Sequence, residues 1–278
     1  MTKAPFFISP PRTRSSVLYH LMEWYAIEKL GLLPLKNHPE LFLEFSQNNL
    51  CTNLRTGETT IGELYPVIHD NAMHVHFVSP PIFSSTVERN IYKLDVLKQA
   101  RALGNEFYVK GSVPMVETPY EILDFFKDRH IVITKRRDIE TCVLSYICAS
   151  TTRIFHARPN NLDSYKNTLE EGVVIDESKL PRLHILLDQI YKLWNLEEYL
   201  KEHNFDYSVV YYEDLDNYDQ IFNVINNLYG TSEWINYLPD DYEKLIPIKV
   251  EKDYTKCILN YDSIISNVRQ QIKDAGLL

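Results

Sequence analysis

Apolar residues in this chain switch repeatedly between short unbroken runs and longer stretches where they return every three or four positions. Phe6-Phe7-Ile8 is the first short run. A polar turn follows, and then Val17, Leu18, Leu21, Met22 and Tyr25 recur at helical spacing, with His20, Glu23 and Glu28 on the other side. His130-Ile131-Val132-Ile133-Thr134 is a continuous, mostly β-branched run and predicts a buried strand. It leads into a helix with Ile139, Cys142, Val143, Tyr146 and Ile147 on one face. The same switch recurs after the strand-like Tyr207-Ser208-Val209-Val210-Tyr211-Tyr212, where Asp216 or Asn217 can cap a helix that ends at Gly230. Further strands are expected near 73–78 and 106–110, and helices over 86–103, 119–127 and 183–200. In the last of these Leu186, Leu187, Ile190, Leu193 and Trp194 form the inward face. A final helix starts near Asp262. Residues 46–60, rich in Asn and Thr, read as a surface loop, and 155–181, with Pro159, Asn160, Asn161 and Gly172, as an excursion with little regular structure.

Strands alternating with helices predict an α/β fold, a central parallel sheet flanked by helices. No repeat or low-complexity tract interrupts the chain, so 1–278 reads as one domain. It carries a loop and helical insertion around 155–205 and a C-terminal extension from about 234. With 45% hydrophobic and 24% charged residues the composition is that of an ordinary globular protein. Only eight glycines are present, so Asn, Asp, Ser and Pro must make most turns.

A formal charge of −9 argues against a broad nucleic-acid face, while leaving room for a local basic pocket. No run approaches the roughly 20 apolar residues of a membrane span, and the N-terminus lacks a signal-peptide layout. Cys51, Cys142, Cys148 and Cys257 are scattered without metal or redox spacing, which suggests free thiols in a reducing, cytoplasmic setting. His74 and His76 share one strand face, with His69 nearby; paired surface histidines explain them more simply than a metal site.

Open parallel sheets bind ligands beyond the carboxyl ends of their strands. Here those ends carry Arg12 with Ser15, Lys110 with Ser112, Arg137, and Glu213. Three of the four bring cations to one rim, which suits a small polyanion. The first is the most suggestive. Ser9-Pro10-Pro11-Arg12-Thr13-Arg14-Ser15-Ser16 joins a strand to a helix start, where free N–H groups and the helix dipole favour an anion, and Ser15 or Ser16 can cap the helix. The Gly-x-x-x-x-Gly-Lys-Ser/Thr loop of nucleotide triphosphatases is absent.

Three stretches together resemble the sulfotransferases that use 3′-phosphoadenosine 5′-phosphosulfate (PAPS). Pro11-Arg12-Thr13-Arg14-Ser15-Ser16 is similar to their 5′-phosphosulfate loop, Lys/Arg-Ser/Thr-Gly-Ser/Thr-Ser/Thr. The stretch from Arg137 to Tyr146 is similar to their 3′-phosphate motif, an arginine followed eight positions later by a serine, here Ser145. Tyr212-Glu213-Asp214-Leu215 resembles their Tyr-Glu-Asp-Leu strand end, and Asn260-Tyr261-Asp262 is similar to bacterial and phage-borne members. The resemblance implies a P-loop-like nucleotide-binding fold and sulfuryl transfer to a hydroxyl or amine of a small-molecule or glycan acceptor, with adenosine 3′,5′-bisphosphate (PAP) as product and no metal. It implies that Arg12 holds the phosphosulfate and stabilises the leaving oxygen, while Thr13, Ser15 and Ser16 cradle the 5′ end. Arg137 and Ser145 would hold the 3′-phosphate and Tyr212 would approach the adenine. Eight helical residues span roughly 12 Å, so Arg137 must precede the helix and fold back to share a phosphate with Ser145.

The chain departs from the family pattern at three places. Arg14 replaces glycine and either adds a phosphate contact or points to solvent. Val17 stands where cytosolic animal members carry a Trp. Ser112, in Lys110-Gly111-Ser112-Val113-Pro114, stands where they carry a catalytic histidine, and serine is no base without an activator. Other branches use a glutamate after the first helix. Glu44, within Leu43-Glu44-Phe45, is the expected base, since apolar surroundings raise a carboxyl pKa toward the working range; Glu40 is second. A small-molecule kinase, or a noncatalytic nucleotide- or partner-binding domain, are the alternatives.

Overall fold

The computed structural model describes residues 4–36, 50–52, 59–61, 66–69, 72–75, 94, 98, 101, 107–112, 121–155, 157, 159, 161–246 and 248–277. In chain order the described strands are β1 (Phe6–Ser9), β2 (Leu33–Lys36), β3 (Leu50–Thr52), β4 (Thr59–Ile61), β5 (Pro66–His69), β6 (Ala72–Val75), β7 (Phe107–Ser112), β8 (Ile131–Lys135) and β9 (Tyr207–Tyr211). Five of them build one parallel sheet in the order β2-β7-β1-β8-β9. The expected α/β architecture is therefore present. The chain leaves β1, lays down β2 and β7 on one side, then crosses to β8 and β9 on the other. That makes the carboxyl edge beside β1 the switch point of the sheet.

The described helices are α1 (Ser15–Glu28), α2 (Glu121–Phe125), α3 (Ile139–Thr152), α4 (Leu162–Glu171), α5 (Leu183–Glu202), α6 (Tyr218–Tyr229), α7 (Tyr242–Leu245), α8 (Tyr254–Cys257) and α9 (Tyr261–Asp274). Successive strand residues point to opposite faces. Phe7, Val132 and Val210 accordingly share one core with Leu18, Leu21 and Met22 of α1, Ile221 and Ile225 of α6, and the fully buried Trp234. On the other face the Phe6 ring lies 4.8 Å from that of Phe126. Burial on both faces is why β8 is apolar without alternation.

A second core joins the outer side of α3 to α4, α5, α8 and α9 through Val143, Ile147, Tyr165, Leu186, Ile258 and Val268. The segments expected as an insertion and an extension thus share a core, and the Val173–Ile258 bridge links them directly. Gly172 turns the chain there at φ +87°, and a Cβ on it would collide with Leu259. No described helix is long and apolar enough to cross a membrane.

The α6 terminus has reciprocal caps. Gln220 N donates to Asn217 Oδ1 at 3.0 Å, and Asp216 N donates back to Gln220 Oε1 at 2.9 Å. Asn217→Ala is expected to cost about 1 kcal/mol in urea unfolding, the usual worth of such a cap.

Several expectations need correction. Arg14, not Ser15 or Ser16, is the N-cap of α1, and Ser15 is buried in the first turn. Glu23 is buried rather than solvated, with its carboxylate 3.3 Å from His20 Nδ1. Within 46–60, β3 and β4 pair antiparallel instead of forming only a loop. Within 155–181 lie α4 and a 3-10 turn at Glu177–Arg182. Trp194 is 38% exposed, its ring tilted against that of Tyr191 at 6.5 Å on the outside of α5. Of the helix expected at 86–103, Leu94, Lys98 and Arg101 are described and are helical.

Candidate functional site

The loop after β1 reaches the switch point with an unusual backbone. Arg12 and Arg14 have φ of +70° and +57°, while Thr13 between them does not. Left-handed conformations cost a side-chain-bearing residue on the order of 1–3 kcal/mol, and alternating handedness turns N–H groups into a concave nest for anions. Thr13 anchors the loop from below. Its hydroxyl donates to Pro10 O at 3.1 Å, so the buried Thr134 hydroxyl, 2.7 Å away on β8, is the donor to Thr13. Arg14 takes a conformation that glycine adopts freely. Its guanidinium donates to the carbonyl of Leu215 and, at 3.4 Å, to that of Asp216. The side chain does not point freely to solvent; it ties the loop to the turn after β9.

Arg12 turns the other way. Its Nε donates to Ser145 Oγ at 3.0 Å, and Nη1 donates to the Phe155 carbonyl. Ser145 is buried on α3, and Tyr254 stands at the start of α8 with its phenol held above the ordinary tyrosine pKa by burial. Lys252, two residues earlier, sets its ammonium 5.1 Å from the Tyr165 ring centre and 5.9 Å from that of Tyr254. Burial, then Arg12, then Arg136 push the Lys252 pKa down to about 8, partly opposed by Cys148 and Cys257. Arg136 follows β8, and its guanidinium lies 4.0 Å from the centre of the Tyr212 ring. Among the described residues none of Arg12, Arg136 and Lys252 forms an ion pair with a carboxylate. Two donors of this group, Arg136 Nε and Tyr165 OH, are buried without a hydrogen-bond partner. Each such orphan costs about 1–3 kcal/mol, which a bound anion would return. Tyr165 cannot relieve this by ionising, because burial raises its pKa to about 12.

Arg137 leaves the group. Its guanidinium makes a two-point bond to Asp214 at 3.0 and 3.2 Å and covers the Tyr211 ring at 4.0 Å. Its backbone N–H meets the Glu213 carboxylate at 3.1 Å, so the acids of Tyr212-Glu213-Asp214-Leu215 hold the turn between β8 and α3. Adjacent residues at a strand end point to opposite sides, which sends Arg136 inward with Tyr212 and Arg137 outward with Tyr211. Asp138 caps α3 by accepting from Thr141 N at 2.9 Å, so the helix begins immediately after Arg137. The expected sharing of one locus by Arg137 and Ser145 is not made; Arg12 takes the place on Ser145.

The chain matches no protein-family model, no curated protein and no solved structure.

Of the residues picked out from sequence, the structure brings Arg12 and Ser145 together, with Thr13 beneath and Tyr212 alongside through Arg136. Ser15 and Ser16 open α1 at the same edge, and Ser112 of β7 pairs in register with Ser9. Glu44 and Glu40 lie outside the described residues. Sequence reading missed Arg136 and Lys252. Arg136 was visible as the neighbour of Arg137, whereas Lys252 sits between Glu251 and Asp253 and carries no local signal. At the opposite edge, His130 Nε2 is 2.9 Å from Ser208 Oγ and Nδ1 is 3.0 Å from Asp206. That Asp206 side chain is 71% exposed and the His130 Nδ1 contact lacks hydrogen-bond alignment, so the trio ties the starts of β8 and β9.

Proposed function

We propose that this chain is a PAPS-dependent sulfotransferase and that the Arg12, Arg136 and Lys252 group, with Ser145 and Tyr254, receives the anionic cofactor. One observation carries the reading: three cations gather at the switch point of a parallel sheet without a described carboxylate to neutralise them. The nest at residues 12–14 and the opening turn of α1 suit the 5′-phosphosulfate. Arg136, Lys252, Ser145 and Tyr254 suit the 3′-phosphate through charge-assisted bonds. Arg12, lying between the two, stabilises negative charge as the leaving phosphate oxygen departs. In the transfer, the bond from sulfur to that oxygen breaks as the acceptor oxygen or nitrogen bonds to sulfur. Glu44 takes the acceptor proton, and PAP leaves. Positioning and fixed charge supply most of the acceleration in such group transfers, by analogy with phosphoryl transfer.

Radiolabelled PAPS incubated with the protein and pooled phenols, sugars and amines is expected to pass its label to an acceptor while PAP is released. Label that stays wholly on PAPS across those classes, or transfer undiminished in Arg12→Ala, contradicts the proposal.

A further inference from the structure

One buried side chain beside the site is chemically out of place. α4 is held down by two residues one helical turn apart, Tyr165 at 2% exposure and Leu169 at 9%. Both belong to the second core. A phenylalanine would anchor α4 there with the same ring. The tyrosine adds a hydroxyl that is buried and, among the described residues, has no hydrogen-bond partner. A buried Tyr hydroxyl ordinarily finds one, since leaving it unmet destabilises the fold. Nor can the phenol escape by ionising: burial raises its pKa to about 12, so it stays a neutral donor near pH 7. Its neighbour is a charge. The Lys252 ammonium stands 5.1 Å from the Tyr165 ring centre, and among the described residues it pairs with no carboxylate.

We propose that the Tyr165 hydroxyl donates to a bound phosphate group, beside the oxygen that Lys252 holds, and so makes α4 part of the site. The inference rests on the cofactor reading above, in which that group is the 3′-phosphate, and adds a specificity-determining residue to it. A tetrahedral phosphate presents oxygens in several directions, so one can meet the ammonium while another accepts from the phenol. A monoester dianion gives each donor a charged acceptor, and hydrogen bonds to charged groups are the strong ones. Without an anion the hydroxyl works against the fold; with one it works for binding. A site built to bond a particular group rejects analogues that lack it, because its buried donors are then left unmet. Tyr165 therefore favours nucleotides that carry the 3′-phosphate over those that do not. Phenylalanine at this position reverses both effects: stability rises and the preference shrinks.

Tyr165→Phe is compared with wild type by urea unfolding without ligand, and by titration with PAP and with adenosine 5′-monophosphate, which lacks the 3′-phosphate. The expected result is a higher unfolding midpoint and PAP affinity reduced about tenfold, with 5′-monophosphate affinity little changed. Leu169→Ala, which loosens the same helix, should lower the midpoint and leave the PAP affinity of the folded protein unchanged. PAP affinity unaltered in Tyr165→Phe, or equal weakening of PAP and the 5′-monophosphate, overturns the proposal. So does a lower midpoint, the sign of a phenol bonded within the fold or to a buried water. A further titration separates this inference from the reading it rests on. It compares inorganic phosphate with chloride at matched ionic strength, read as the shift in midpoint. If the wild type binds no PAP but phosphate stabilises it more than it does Tyr165→Phe, the nucleotide reading falls and the phenol stands as the phosphate donor. If the wild type binds no PAP and phosphate acts equally on the two proteins or not at all, both fall.

Discussion

Arg12→Ala, Arg136→Ala and Lys252→Met should each weaken PAP binding by about ten- to a hundredfold, while Arg137→Ala changes it less than threefold. A hydrogen bond to a charged group is worth about 1.5–3 kcal/mol, and each 1.4 kcal/mol is a factor of ten in affinity. Arg12 is bonded to the buried Ser145, Lys252 lies by the Tyr165 ring and Arg136 by the Tyr212 ring, and all three are partly buried, so solvent screens them less than it would surface charges. Arg137, by contrast, is exposed and already committed to Asp214, a surface pair of the kind worth little. Motif spacing alone would have ranked Arg137 above Arg136. A titration of the four variants separates the two: loss on Arg137→Ala with Arg136→Ala near wild type would show that the arginines exchange roles on binding.

Lys252→Met should also stabilise the free protein, by about 2 kcal/mol near neutral pH after allowance for the side chain's partial exposure. Burial and the neighbouring guanidinium of Arg12 hold Lys252 at about 8, against 10.5 for an ordinary lysine. Between those two values the unfolded chain binds the additional proton, so Lys252 makes stability rise with pH across that window. Below pH 8 its full cost is present. The advantage of the methionine variant is therefore largest at neutral pH and fades above the ordinary lysine range. Urea unfolding at pH 7 and pH 10.5 measures it; an advantage that stays constant with pH would mean that packing, not charge, is responsible. In the wild type, PAP affinity should fall as pH rises through about 8, a dependence the methionine variant should lack.

Much of the fold was legible because the hydrophobic period changes sharply. β1, β8 and β9 are short apolar runs against a 3.6-residue pattern in α1, α3, α5 and α6, and both cores follow from that contrast. α4 was illegible because it buries only Tyr165 and Leu169, too few anchors to set a period. β3 and β4 were hidden by a polar Thr- and Asn-rich sequence that reads as turn. Trp194 shows the limit of periodicity: the helical face was placed correctly at Leu186, Leu187, Ile190 and Leu193, but the stripe is narrower than the pattern implied.

The site was legible in part, for a related reason. Arg12 and Ser145 stood in recognisable strand-to-helix contexts, and the structure joins them. Which of two adjacent arginines turns inward depends on strand alternation and on Asp214, neither of which a motif records. Lys252 reaches the site only because α8 packs against α3 through the second core, more than a hundred positions from its nearest partner on that helix. Arg14 is the instructive departure. Its backbone keeps the left-handed turn that a glycine would make, while its side chain is committed to the carbonyls of Leu215 and Asp216.

Calorimetric titration of the wild-type protein with PAP in the presence of a chelator, alongside ATP with magnesium, tests the central claim most directly. Saturable binding of PAP without metal, at least tenfold tighter than that of ATP with magnesium and lost in Lys252→Met, is the predicted result. Preference for ATP with magnesium, or PAP binding indifferent to Lys252, would contradict it.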